Sequence, residues 1–247
     1  DVSDGAKVHT WIVFPPDFDP NKKYPMITYC QGGPQSQINP NFHYRWNLFL
    51  MASKGYIVVA SNRRGVPGFG QAWNDAISRD WGGRPMQDFL DITDAMATQK
   101  FVDKDALSTV GASAGGYAAF WLAGHHEKRL KAFISHCGVY NFESMYGETE
   151  ELFFSNWEYG GPYWDPAHKA NYDQNSPHNF VQNWDTPILI ITGERDFRVP
   201  YTQSLEAFTA AQVKNIPSKL LVYPEETHFV AKPQNYLIWS AEFYGWL

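Results

Sequence analysis

Ser113 stands midway between two glycines, in Gly111-Ala112-Ser113-Ala114-Gly115. An apolar run from Leu107 to Val110 leads into this stretch. A small-residue run with Ala118, Ala119, Leu122 and Ala123 leads out of it. The pattern predicts a strand, a sharp turn and a helix, with a serine hydroxyl lifted to the apex. A turn that tight crowds the positions two residues away, so these must lack side chains. The helix N-terminus beneath the serine favours negative charge, which an attacked carbonyl develops.

A serine hydroxyl becomes a useful nucleophile when a base takes its proton and a third group orients that base. In the α/β-hydrolase order the acid follows the serine and the histidine comes last, each beyond the carboxyl end of a strand. After Asp185 the chain has one aspartate, Asp196, in Thr192-Gly193-Glu194-Arg195-Asp196, just past an apolar run. Glu194 is its rival but lies nearer the strand. Of 8 histidines, only His228 lies beyond residue 178, in a loop directly after the last predicted strand. Ser113, Asp196 and His228 are therefore the candidate catalytic residues. The N–H groups of Ala114 and Gly33 are assigned to the oxyanion hole. Gly33 belongs to Gln31-Gly32-Gly33-Pro34, which follows an earlier strand.

The elements that must hold these groups alternate in type. Strands are predicted at Val8 to Phe14 (near an edge), Pro25 to Cys30, Tyr56 to Ala60, Lys131 to Cys137, Pro187 to Thr192 and Lys219 to Tyr223. Helices are predicted at Phe42 to Ser53, Pro85 to Gln99, after Ser113 up to Gly124, around Leu205 to Ala211, and at Pro233 to Leu247. Between Val139 and Asp185 no period is visible, and a segment of that length is expected to form a lid or pocket wall. The whole predicts an α/β-hydrolase fold, with a mostly parallel sheet covered by helices on both faces.

Bulk properties exclude other classes. The 247 residues carry a net charge of −6 without a cluster of Lys or Arg, which argues against nucleic acid as a partner. No window is apolar enough for a membrane span, and no signal peptide is visible. His125-His126-Glu127 lacks metal-ligand spacing and the 2 cysteines are far apart in sequence, so neither metal nor cofactor is expected. Cys30 and Cys137 should end strands two apart, about 10 Å, too far for a disulfide. The chain opens on Asp1, and the expectation is a single catalytic domain over residues 1–247, excised from a longer protein.

The sequence resembles the catalytic domain of the prolyl oligopeptidase family of serine peptidases. The resemblance rests on Gln31-Gly32-Gly33-Pro34-Gln35-Ser36, Asn62-Arg63-Arg64-Gly65, Gly111 to Tyr117, Gly193 to Pro200 and the His228 loop. Within the family it is most similar to the bacterial dipeptidyl-peptidase 5 and acylaminoacyl peptidase branches. This implies release of dipeptides from the free N-terminus of short peptides through an acyl-enzyme on Ser113. It also implies a β-propeller upstream, a periplasmic or secreted location, and compatibility with a homodimer. By position in the family, Val139, Phe142, Met145 and Tyr146 would line the specificity pocket with Val199 opposite, the alternative being plain core packing, and Arg198 would either reach a substrate carbonyl or brace the loop that holds Asp196. Glu148, Glu150 and Glu151 form an acidic cluster that reads first as a solvated face, with receipt of a substrate ammonium as the alternative. Two positions depart from the family pattern: Ala114 replaces a bulky aromatic, and Gln31 a histidine or tyrosine. The alternatives are an acylaminoacyl peptidase or esterase on the same fold, or a binding module without catalysis.

Overall fold

A computed structural model describes residues 1–39 and 41–247. Its seven strands are β1 (Thr10–Val13), β2 (Tyr24–Cys30), β3 (Ile57–Ser61), β4 (Val102–Ala112), β5 (Ala132–His136), β6 (Ile188–Gly193) and β7 (Ser218–Tyr223), in spatial order β1-β3-β2-β4-β5-β6-β7. Only β1, at the edge, runs antiparallel to its neighbour. Every residue of β3 and β6 is buried, as expected of strands covered on both faces. From β2 the chain moves outward to β3, then returns on the other side of β2 to lay down β4. The order therefore reverses between β2 and β4. Ligands bind at such reversals, beyond the carboxyl ends of the strands, because the two following loops part there and leave a crevice. Cys30 of β2 pairs with Gly111 of β4 at that end, so the Gly32-Gly33 loop and Ser113 emerge side by side.

The helices are α1 (Leu48–Ser53), α2 (Gln71–Asp75), α3 (Arg84–Ala97), α4 (Ala114–Ala123), α5 (Phe142–Glu148), α6 (Leu152–Tyr159), α7 (Lys169–Asn175), α8 (Thr202–Val213) and α9 (Pro233–Trp246), with a 3-10 turn at Pro177–Asn183. Every residue of α4 is buried, which explains its small and apolar sequence: it crosses the middle of the sheet under further layers of chain.

Three expectations are corrected. The helix expected from Phe42 begins only at Leu48, where the Asn47 side chain accepts from the Leu50 N–H at 2.9 Å and caps it. The strand entering Ser113 starts at Val102, earlier than its apolar part at Leu107. The stretch from Val139 to Asp185 holds α5, α6, α7 and the 3-10 turn, pieces of 7 or 8 residues each. Two turns of helix are too short for an apolar period to show.

Candidate active site

The turn at Ser113 has φ 60° and ψ −122°, a conformation that a residue with a side chain adopts at a cost of about 1–3 kcal/mol. Its surroundings hold it there. A Cβ on Gly115 would stand 2.0 Å from the Cys30 carbonyl oxygen, and one on Gly111 would stand 2.3 Å from that of Gly115. The two glycines thus let β2, β4 and α4 meet without intervening side chains. The Ser113 N–H donates to the His136 carbonyl at 2.9 Å, tying the turn to the end of β5.

Asp196 is buried and its carboxylate is fully engaged. Oδ1 accepts the N–H groups of Arg198 and Val199, each at 3.0 Å, and Oδ2 meets His228 Nδ1 at 2.7 Å. Glu194, the rival acid, is exposed. Ser113 and His228 line one cavity of about 890 Å³. Among the described residues no hydrogen bond joins Ser113 Oγ to the His228 ring, a bond that free enzymes often form fully only on binding substrate. Burial works against protonation of His228, but the Cys137 thiol and the Asp196 carboxylate outweigh it and raise its pKa from 6.5 to about 10.

The Ala114 N–H lies in the first turn of α4, where no intrahelical acceptor exists. Gly32 packs against the same turn: a Cβ there would come within 2.7 Å of the Ala112 carbonyl oxygen. Gly33 follows with φ 123°, a region closed to other residues, so its N–H is presented by a backbone that only glycine adopts readily. Gln31 serves as a strut. Its carbonyl accepts from the Tyr29 hydroxyl at 2.7 Å and its amide donates to Ser36 Oγ at 3.0 Å.

This loop is braced from behind by Asn62-Arg63-Arg64. Asn62 accepts the Ile38 N–H at 2.7 Å and donates to the Ile38 carbonyl at 3.2 Å. Arg63, fully buried, donates to the Pro34 carbonyl at 3.1 Å and to that of Arg64 at 2.9 Å, and burial lowers its pKa to about 10. Arg64 is clamped by Asp88 and Asp4. Buried Glu158 accepts Gln35 Nε2 and Trp81 Nε1, both at 2.8 Å, and so joins the loop to α6.

A family model described as the prolyl oligopeptidase family matches residues 42–247. The chain belongs to the prolyl oligopeptidase family. It is 53% identical to a Porphyromonas gingivalis protein named dipeptidyl-peptidase 5, over 100% of this chain and 36% of that protein. It is 49% identical, with the same coverage, to the protein of that name from Porphyromonas endodontalis. The chain therefore spans about a third of the length of these relatives. Among solved structures, an acylaminoacyl peptidase in complex with Z-Gly-Gly-Phe-chloromethyl ketone superposes with a TM-score of 0.89 at 25% identity, over 98% of this chain and 39% of that one. The sheet and its helices are those of an α/β-hydrolase, as in this family.

Of the side chains expected to bind substrate, Arg198 lies on the cavity wall, beside Glu151 at 2.9 Å and Glu150 at 3.2 Å. Val139, Phe142, Met145, Tyr146 and Val199 are instead buried core and lie off that wall. The reason is packing: Phe142 stacks on Tyr159 with ring centroids 4.0 Å apart, and Trp81 and Tyr117 close the group edge-on. The wall is built by Tyr29, Arg45, Trp46, His136, Phe154 and Trp239, none of which the sequence singled out. Arg45 lies over the Phe229 ring at 4.1 Å. Burial keeps His136 neutral, with its pKa lowered to about 3. As expected, both cysteines are free and buried, at the ends of strands two apart.

Proposed function

We propose that the full-length protein is a serine exopeptidase that releases dipeptides from the free N-terminus of short peptides. The observation that carries this reading is the His228–Asp196 hydrogen bond of 2.7 Å on the cavity that holds Ser113. Ser113 Oγ attacks the scissile carbonyl while His228 takes its proton, and the Ala114 and Gly33 N–H groups receive the oxyanion. The C–N bond breaks, and His228 returns the proton to the leaving amine. Water then gives a proton to His228 and attacks the acyl-enzyme. The released acid carries the dipeptide, and the proton goes back to Ser113.

Family membership and the names of the relatives support the peptidase reading over an esterase. Glu151 and its neighbour Glu150 support a free N-terminus: two carboxylates face the single guanidinium of Arg198 at the cavity wall, and the negative charge left over suits a substrate ammonium that a blocked terminus lacks. The cavity's exposed apolar residues Trp11, Phe14 and Phe49 support a cover. That cover is the upstream β-propeller, within the part of the relatives' length that this chain does not span. A periplasmic or secreted location completes the proposal. No helix among the described residues is long and apolar enough to cross a membrane.

The test is a substrate panel on the full-length protein: dipeptidyl, acetyl-aminoacyl and simple ester chromogenic substrates. Dipeptidyl substrates should be cleaved with the highest kcat/KM, and Ser113→Ala should abolish the activity. Preference for acetylated termini would overturn the dipeptidyl reading, and undiminished hydrolysis by Ser113→Ala would overturn the nucleophile.

A further inference from the structure

Cys137 lies directly after β5 and close to His228, although 91 residues separate them in the chain. Its Sγ donates to the His228 carbonyl at 3.6 Å. Cys137 Sγ, an Asp196 carboxylate oxygen and a His228 ring nitrogen all lie within 4.8 Å of one another. A thiol, an imidazole and a carboxylate form a donor set suited to a borderline or soft divalent cation. Around tetrahedral zinc, with bonds of about 2.0–2.3 Å, neighbouring donors stand roughly 3.3–3.8 Å apart. Closing this cluster on an ion therefore takes about 1 Å of side-chain movement.

A second, independent feature points to the same place. His136, the residue before Cys137, is only 4% exposed, and neither of its ring nitrogens has a hydrogen-bond partner among the described residues. A buried imidazole with no partner is rare, because each unpaired polar atom costs free energy. His136, Cys137 and His228 all line the cavity that holds Ser113. An ion and its water thus have an entry path along a wall that includes the unpaired His136, while the donors themselves are Cys137, Asp196 and His228.

We propose that Cys137, His228 and Asp196 form an inhibitory site for a thiophilic divalent cation such as Zn²⁺ or Cd²⁺. Binding displaces the thiol proton and a His228 ring proton to solvent and occupies the lone pair this frees on the His228 ring. No redox change is involved. The histidine can then no longer accept the Ser113 proton, so hydrolysis stops until a chelator removes the ion. Hard cations such as Mg²⁺, which favour all-oxygen sites, should leave the rate unchanged.

The test uses the full-length protein. Zn²⁺ in the low micromolar range should inhibit it, EDTA should restore the rate, and Mg²⁺ should have no effect. Cys137→Ser and Cys137→Ala, each normalised to its own metal-free rate, should need at least tenfold more Zn²⁺. Co²⁺ added to the Ser113→Ala variant should give the near-ultraviolet absorption of a cobalt thiolate, and Cys137→Ala in that background should lose it. The cobalt readout needs no turnover, so it stands or falls apart from the proposed activity. Equal Zn²⁺ sensitivity in both Cys137 variants, or no thiolate absorption, overturns the proposal.

Discussion

Replacing Asp196 by Asn tests the arrangement of the site most directly, because the structure dictates which way the new amide must face. Asp196 Oδ1 accepts two backbone N–H groups, from Arg198 and Val199. Only an acceptor can stand there, so the amide carbonyl takes that place and the NH₂ group turns to His228. Nδ1 at 2.7 Å must then become the acceptor, which moves the ring proton to Nε2. A histidine protonated on Nε2, the nitrogen left to act as base in the proposed mechanism, cannot take the serine proton. Turning the amide over would instead set NH₂ against two N–H donors, each buried mismatch costing about 1–3 kcal/mol. The wrong tautomer is therefore locked in. A loss of about 10⁴ in kcat is expected, or about 5 kcal/mol of transition-state stabilisation. The fold should survive, since the replacement is isosteric. The assay is steady-state hydrolysis of a dipeptidyl chromogenic substrate by the full-length protein, with Glu194→Gln as an exposed control that keeps the wild-type rate. A kcat for Asp196→Asn within tenfold of wild type would refute the reasoning.

Four further outcomes follow from the same geometry. Only neutral His228 can accept a proton, and its pKa is raised from 6.5 to about 10; kcat/KM of the free enzyme should therefore rise with pH along a limb whose midpoint lies above 6.5, and a midpoint at or below 6.5 would contradict the environment described. The same raised pKa stabilises the fold fully below about 6.5 and loses that contribution as pH climbs through the folded value, so the stability advantage of wild type over His228→Asn, measured by denaturant titration, should shrink between pH 6.5 and pH 10. Asn62→Ala strips the Ile38 N–H of its partner and leaves the Ile38 carbonyl only the Trp11 Nε1 donor at 3.3 Å, and should cost about 1–3 kcal/mol in urea unfolding together with a lower kcat; an unchanged midpoint would show that the loop is braced elsewhere. Gly115→Ala puts a methyl group 2.0 Å from the Cys30 carbonyl oxygen and should abolish labelling of Ser113 by a fluorophosphonate probe, whereas normal labelling would mean that the turn can open without loss.

The candidate catalytic residues were legible because each sits where a strand ends, and strands announce themselves locally. Ser113 is marked by glycines whose absence of side chains is a steric requirement of its own turn, and Asp196 and His228 each follow an apolar run. Chain order does the rest: in a parallel sheet these ends all point to one edge, so sequence position translates into shared location. Short helices were not legible, since α5 and α6 span two turns each and their apolar residues answer to partners elsewhere in the chain.

The sequence by itself determined the sheet, the turn at Ser113 and the candidates for the acid and the base, all properties of one segment and its immediate neighbours. Only the tertiary structure decided what surrounds them. It buried Phe142 against Tyr159 and Trp81 instead of on the cavity wall, and it brought Arg63 from beyond β3 to hold the Pro34 carbonyl. It also set Cys137 beside His228 and left His136 without a hydrogen-bond partner among the described residues. Each of these depends on contacts between segments far apart in the chain. Their geometry follows from how the layers pack, and no local period or spacing encodes it.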